Sequence, residues 1–295
     1  MSLEKPTKRF RALLARKEIT LLPGVGDPFT ARLVAAEGYD ALMSSGNASS
    51  AMRLGLPDVG LMTLAENAEN AGRIAAASGL PVFADADTGY GPAINVRRTI
   101  MEFERAGVAA VMLEDQVTPK RCGMMAGKQV ISTSEMEMKI KSALDARRDD
   151  GLVIVARTDA RAVEGLDAAI RRAEAYQRAG ADAIFVEGPK TEEEATAIAR
   201  RIDAPMLYNI TPTGSVAPLT VEKLEALGYK MLSTSVYTVL AAIPGLRHFL
   251  RTLKQTGDVA KAGSHVAAMA DYYDILKLED WQDLEERYSN STKHD

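Results

Sequence analysis

The stretch PVFADADTGYG (residues 81–91) runs from an apolar segment, Pro81 to Ala84, into two acids, Asp85 and Asp87, and then into a turn on Gly89 and Gly91. NVRRTIMEFERAG (95–107) follows at helical spacing and ends in the Ala-Gly that suits a helix C-terminus. A short strand with no wet face, a turn bearing carboxylates and an amphipathic helix together make one β/α unit of a parallel sheet. Seven further runs share this form: TLLPGV (20–25), ALMSSG (41–46), AVMLEDQ (110–116), LVIVARTD (152–159), AIFVEG (183–188), PMLYNIT (205–211) and KMLSTS (230–235). Eight units spaced roughly 20 to 40 residues apart predict an α/β fold, a (β/α)8 TIM barrel. The rival, a doubly wound sheet, has no natural place for eight equivalent units, and no GxGxxG opens a helix. The expected division is a barrel over residues 1–254 and a C-terminal helical segment over 255–295. That segment holds the only Trp and is expected to pack on the barrel or on a partner subunit.

Composition narrows the chemistry. With 36 basic and 40 acidic residues spread along 295, a net charge of −4 offers no basic patch for nucleic acid. No uncharged apolar run approaches the ~20 residues of a membrane span. A single cysteine supplies neither an internal disulfide nor a thiolate zinc site, which suits a reducing, cytoplasmic location. Any metal must then be held by oxygen ligands. His248, His265 and His294 all follow the eighth strand, so a Ser-His-Asp hydrolase is not expected.

Barrel chemistry sits where the strands end. Those ends carry Ser44, Ser45, Gly46 and Asn47; Asp85 and Asp87; Glu114 and Asp115; Arg157 and Asp159; Glu187; and Asn209 and Thr211. Asp85 and Asp87, two apart on a strand, share a face. With Glu114 they form an all-oxygen set suited to Mg2+, with Mn2+ as the alternative ion. An isolated DxD can equally cap a loop or pair with Arg157. SSGNAS offers backbone N–H groups for a carboxylate or phosphate oxygen. Asp58, after Pro57, reads either as a turn-former or as a site residue.

Cys122 lies in EDQVTPKRCGMMAGK (114–128), a stretch with little periodicity that reads as a loop long enough to close over the barrel mouth. Lys120 and Arg121, just before it, are expected to favour the thiolate, while Gly123 and Gly127 give a lid its freedom. Charged, flexible neighbours point to function rather than to an inert buried thiol.

SSGNAS (44–49), LPDVG (56–60), DADTGYG (85–91), EDQVTPKRCG (114–123), ARTDA (156–160), VEG (186–188) and YNIT (208–211) occur in the order found in the isocitrate lyase/phosphoenolpyruvate mutase superfamily, which the chain resembles from about residue 8 to about 250. The KRCG loop is most similar to the branch of 2-methylisocitrate and 2,3-dimethylmalate lyases. The resemblance implies Mg2+-dependent cleavage of a substituted 2-hydroxy-dicarboxylate to a 2-oxo acid plus a carboxylic acid. Asp85 would be the principal metal ligand, with Asp87 and Glu114 holding metal-bound waters. Ser45, Gly46 and Asn47 would bind the oxo-acid carboxylate, and Arg157 would stabilise charge on its oxygen. Asp58, Gly123, Glu187, Asn209 and Thr211 would line the pocket. Cys122, served by Lys120 and Arg121, would protonate the carbanion. The family's assembly is a homotetramer, a dimer of dimers with the eighth helix exchanged between subunits. Hydrolysis or decarboxylation of oxaloacetate, phosphonomutase chemistry and a non-catalytic oxo-acid-binding barrel are the alternatives. Two departures from 2-methylisocitrate lyases, Met124 for His and Pro212-Thr213 for an acid and an aromatic, predict a less polar pocket and a smaller or more apolar substrate. Ser233 falls near a position where oxaloacetate-hydrolysing members carry serine, or is a simple strand-end hydroxyl.

Overall fold

The computed structural model describes residues 4–212, 214 and 216–291. Nine strands, all parallel, form one sheet: β1 (Thr20–Leu22), β2 (Gly24–Val25), β3 (Leu42–Ser44), β4 (Val82–Asp85), β5 (Ala110–Glu114), β6 (Val153–Thr158), β7 (Ala183–Val186), β8 (Met206–Asn209) and β9 (Met231–Ser233). All eight expected runs are present. The ninth strand arises because Pro23, which has no N–H to donate, breaks the first run in two. β1 pairs with β9 and β2 with β3, so this one run joins the two ends of the sheet and closes the barrel.

Apart from exposed Leu21 and half-buried Asn209, every strand residue is buried, and the residues divide by parity. Leu22, Met43, Phe83, Ala110, Met112, Val153, Val155, Ala183, Phe185, Leu207 and Met231 form an inner cluster. The alternate residues Val82, Ala84, Val111, Leu113, Ile154, Ala156 and Ile184 join an outer one, with Ile74, Ile100, Phe103, Ile140 and Tyr176 of the surrounding helices. Helix Pro6–Ala15 plugs the end where the strands begin: Phe10 joins the inner cluster, its ring 6.3 Å from that of Phe83, and Arg11 donates to the carbonyls of Gly151 and Leu152. The other end is left for chemistry.

At that open end the backbones of Gly24 and Ser235 touch. A Cβ on Gly24 would lie 2.1 Å from the Ser235 carbonyl oxygen, a contact only backbone movement can relieve. Gly24→Ala should therefore cost about 2–3 kcal/mol, read as a lower urea midpoint at unchanged m-value.

The chain divides after Val239 into two compact units. The expected boundary, between 254 and 255, falls in the last turn of helix Tyr237–Thr256. The second unit consists of the remainder of that helix with helices Val259–Ala262, Met269–Leu276 and Leu278–Ser291. Among its described side chains only Ala262 is buried, while Leu246, Leu250, Met269 and Trp281 are exposed. No helix among the described residues is long and apolar enough to cross a membrane. His248 belongs to this unit; the His265 side chain and His294 lie outside the described residues.

Candidate active site

The inward parity of each strand continues past its last apolar residue. Ser45 follows Met43 by two, Asp85 follows Phe83, Glu114 follows Met112, Arg157 follows Val155, Glu187 follows Phe185, Asn209 follows Leu207, and Ser233 follows Met231. The barrel's own pleat thus aims seven polar side chains at one place. Asp115 and Thr158 have the opposite parity. Asp115 accepts bonds from Thr158 Oγ1 at 2.7 Å, Tyr176 Oη at 2.7 Å and Arg172, tying strands to helix rather than serving a site.

A small pocket of about 40 Å3 lies there, lined by Met43, Ser45, Asn47, Asp58, Asp85, Cys122, Gly123, Met124, Arg157, Phe185, Glu187, Asn209, Ile210, Thr211, Ser233, Ser235 and Val236. It is small because loop 117–130, which contributes Cys122, Gly123 and Met124 to the lining, is folded down over it. Cys122 is 7% exposed. Its sulfur accepts a bond from Asn47 Nδ2 at 3.3 Å, and its N–H donates to the Asp58 carbonyl at 3.1 Å.

Charge is arranged in two linked groups. On one side, Lys120 makes ion pairs with Asp58 and, at 2.8 Å, with Asp87. Asp85 accepts from the N–H groups of Gly46 at 3.3 Å and Asp87 at 3.1 Å. On the other side, Arg157 reaches Asp159 at 2.9 Å, Glu187 at 3.1 Å and Glu114 at 3.4 Å, and its guanidinium lies 5.3 Å from the Phe185 ring centre. Lys128 closes this side, 2.8 Å from Asp159.

Six buried acids, Asp58, Asp85, Asp87, Glu114, Asp159 and Glu187, therefore face three buried bases, Lys120, Lys128 and Arg157. Burial first, and the excess of acids second, shifts the titration of these groups. Burial pushes Asp87 up to about 6 despite Lys120, with Asp85 and Asp58 adding to the rise. Burial also raises Glu114 well above the carboxylate range, opposed by Arg157 and Lys120, and it raises Glu187. Asp159 behaves otherwise: burial would raise it, but Arg157 and Lys128 outweigh burial and hold it at about 2. Glu114 Oε1 is buried without a hydrogen-bond partner. No three His, Cys, Asp or Glu side chains among the described residues form a ready direct metal cage.

Several sequence expectations need correction. Asp87 does not share a strand face with Asp85. The strand ends at Asp85, and Asp87 sits in the left-handed region at φ 49°, so a turn brings it back toward its neighbour. Lys120 and Arg121 do not create a thiolate. Lys120 faces the acids, exposed Arg121 donates to the Ala126 carbonyl, and the Cys122 thiol is pushed above its ordinary value, first by burial and then by Asp58, against the Met124 N–H and Asn47. Arg121 does not line the pocket; its own N–H and carbonyl are clamped by the Gln116 amide at 2.9 Å each. Met124 does line the pocket, whereas Pro212 is exposed and outside the lining; Thr213 lies outside the described residues. Lys128 and Ser235 were not singled out in the sequence, because neither loop position carries a periodic signal.

Gly123 shows how closely the lid fits. A Cβ there would stand 2.6 Å from both Arg157 Nη2 and Glu187 Oε2, the ends of a buried ion pair. Gly123→Ala should hold the lid open and lower kcat/KM by roughly 10- to 100-fold at unchanged thermal stability. Wild-type kinetics in that variant would show that the lid need not descend this far.

Comparison with known proteins agrees with this architecture. The family model described as phosphoenolpyruvate phosphomutase matches residues 10–254. The chain is 40% identical over 281 residues to a 2,3-dimethylmalate lyase of Eubacterium barkeri, covering 95% of this chain and 97% of the relative. It is 41% identical over 280 residues to a 2-methylisocitrate lyase of Aeropyrum pernix, covering 95% and 90%. Among solved structures, an oxaloacetate acetylhydrolase with 3,3-difluorooxalacetate bound superposes with a TM-score of 0.91 at 32% identity, covering 97% of each chain. A phosphonopyruvate hydrolase complexed with oxalate and Mg2+ gives 0.87 at 27%, covering 96% of this chain and 99% of the other. On this likeness over nearly its whole length, with the polar strand ends gathered under one lid, the chain belongs to the phosphoenolpyruvate mutase/isocitrate lyase superfamily.

Proposed function

We propose that this enzyme is a divalent-metal-dependent carbon–carbon lyase that splits a substituted 2-hydroxy-dicarboxylate into a 2-oxo acid and a second carboxylic acid. The observation that carries this reading is the Cys122 thiol, kept protonated by burial and held on a closed lid that also covers Arg157. Retro-aldol cleavage needs a cation to take up charge on the emerging oxo oxygen and an acid to quench the carbanion.

The pocket as a whole fits a divalent cation: six buried acids outnumber three bases, and Glu114 keeps an unpartnered oxygen. Asp85 would hold the ion, with Asp87 and Glu114 acting through water, an arrangement that suits Mg2+, or Mn2+, and needs no cage of three direct ligands. Such an ion supplies Lewis-acid polarisation of the substrate's oxygens. Ser45, Gly46 and Asn47 would receive the 2-oxo-acid carboxylate, and Arg157 the charge on its oxygen. A buried carboxylate of the acid cluster takes the hydroxyl proton, the C2–C3 bond breaks and its electron pair settles on C3 beside a carboxylate, and the Cys122 S–H gives C3 its new proton, leaving the thiolate. Met124, Phe185, Ile210 and Val236 give part of the pocket an apolar wall, which favours an alkyl-bearing substrate over one with a third carboxylate.

The names of the relatives, 2,3-dimethylmalate lyase and 2-methylisocitrate lyase, support the same class. A direct test is release of a 2-oxo acid from malate, 2,3-dimethylmalate, isocitrate, 2-methylisocitrate and oxaloacetate with Mg2+ present. Turnover of none of the hydroxy acids would sink the lyase reading. Hydrolysis of oxaloacetate is the second reading, favoured by the pocket hydroxyl of Ser233, 2.8 Å from Asn209 Oδ1, and by the structural likeness to an oxaloacetate acetylhydrolase. Oxalate and acetate as products would establish it.

We also propose a homotetramer in which residues 255–295 reach a partner. The exposed Leu246, Leu250, Met269 and Trp281 of the second unit support this, and light scattering of the chain in solution reads the assembly directly.

A further inference from the structure

We infer that Lys128 is a positioning residue that latches the lid onto the charge pair behind it, so that Cys122 comes into place beside Arg157. This rests on the lyase reading only for its consequence in turnover; the latch itself is a statement about the loop.

The lid is fastened at two points by two buried lysines. Lys120 reaches the acids on one side of the pocket, Asp58 and Asp87. Lys128, eight residues further along the same loop, reaches the other side, its side chain 3% exposed. Its Nζ stands 2.8 Å from Asp159 Oδ1 and also donates to the carbonyl of Gly123, the residue next to Cys122. Asp159 Oδ1 is shared: it accepts from Arg157 Nη2 at 3.0 Å, while Asp159 Oδ2 accepts from Arg157 Nε at 2.9 Å. One ammonium therefore touches both the turn that carries the cysteine and the carboxylate that holds the guanidinium.

The fully buried carboxylate sets the direction of the coupling. With the lid down, Asp159 faces two cations, and its charge is compensated. With the lid raised, Lys128 leaves, and one cation remains for a carboxylate that also lies near Glu114 and Glu187 through Arg157. Closure returns Lys128 to Asp159, which still holds Arg157 through both oxygens, so the cysteine turn comes down beside a guanidinium already fixed at the pocket wall. The Gln116 clamp on Arg121 and the Cys122 N–H bond to Asp58 shape the loop, but neither touches Arg157.

Because Cys122 is the only cysteine in the chain, its alkylation by iodoacetamide reads lid opening without any substrate. Lys128→Met keeps the length of the side chain and removes its charge. It should accelerate alkylation roughly 10- to 100-fold, the worth of one charge-assisted hydrogen bond. Lys128→Ala should do the same, and propylammonium, which fits the vacated channel and restores the ammonium, should slow it again. Thermal unfolding of both variants is measured alongside, because Asp159 keeps Arg157 as partner and the barrel should remain intact. A wild-type alkylation rate in a folded Lys128→Met would overturn the latch. Fast alkylation that propylammonium leaves unchanged, or that tracks a general loss of stability, would reduce Lys128 to a structural residue and overturn it equally. If the latch holds while no hydroxy acid is turned over, the lyase reading fails alone.

Discussion

Cys122→Ser should lower turnover by about 10³-fold and leave the binding of Mg2+ and oxalate, measured by calorimetry, as in the wild type. The substitution leaves the lid's attachments in place: Lys120 to Asp58 and Asp87, Lys128 to Asp159, and the backbone N–H of residue 122 to the Asp58 carbonyl. Asn47 Nδ2, which donates to the sulfur at 3.3 Å, can donate to a hydroxyl instead. What changes is acidity, since an alcohol is a far weaker acid than a thiol, and a general acid is worth 10²–10⁴-fold. The pH profile carries the same signature. Burial raises the Cys122 thiol above its ordinary value of 9.0, so the acid form persists through neutral pH and is lost only as pH rises through that higher value. The wild-type alkaline limb should therefore lie above pH 9 and disappear in the serine variant. A kcat within threefold of wild type would remove Cys122 from the reaction.

Asp85→Ala should abolish the proposed metal-dependent activity, a loss of at least about 10³-fold, equivalent to several kcal/mol of charge stabilisation. Chelation should silence the wild type reversibly, and added Mg2+ should restore the wild type but not the variant. Asp85 also accepts two backbone N–H bonds, from Gly46 and Asp87, so Asp85→Asn serves as the control: it keeps an acceptor and loses the charge. If the ion is the reason, Asn falls nearly as far as Ala in Mg2+ affinity by calorimetry. If both variants saturate with Mg2+ as the wild type does, or chelation leaves activity intact, the acid cluster serves only to hold Lys120.

Much of this was legible in the residues. Each of the eight apolar runs became barrel strand, with Pro23 splitting the first. The strand-end motifs were informative because the polar residues that close an apolar run are forced to the rim. Other features were not legible. Lys120 and Arg121 are neighbours in sequence, yet one is buried among acids and the other is exposed, because an aperiodic loop gives no rule for where its side chains point. The thiolate expectation failed for the same reason: it assumed that cations adjacent in the chain are adjacent in space. Lys128 gave no signal, since its partner Asp159 lies 31 residues away on another strand end.

The sequence by itself determined the barrel, the acidic rim and the lid, because strand length, continuous hydrophobicity and turn chemistry are local properties. Only the tertiary structure shows the physical reason that Glu114, and not the adjacent Asp115, serves the site. Glu114 points inward with Met112, while Asp115 points outward to Tyr176 and Arg172. A strand buried on both faces shows no alternation of polar and apolar residues, so its sequence gives the period of two but not the phase. Closure of the barrel fixes that phase, and with it the membership of the site.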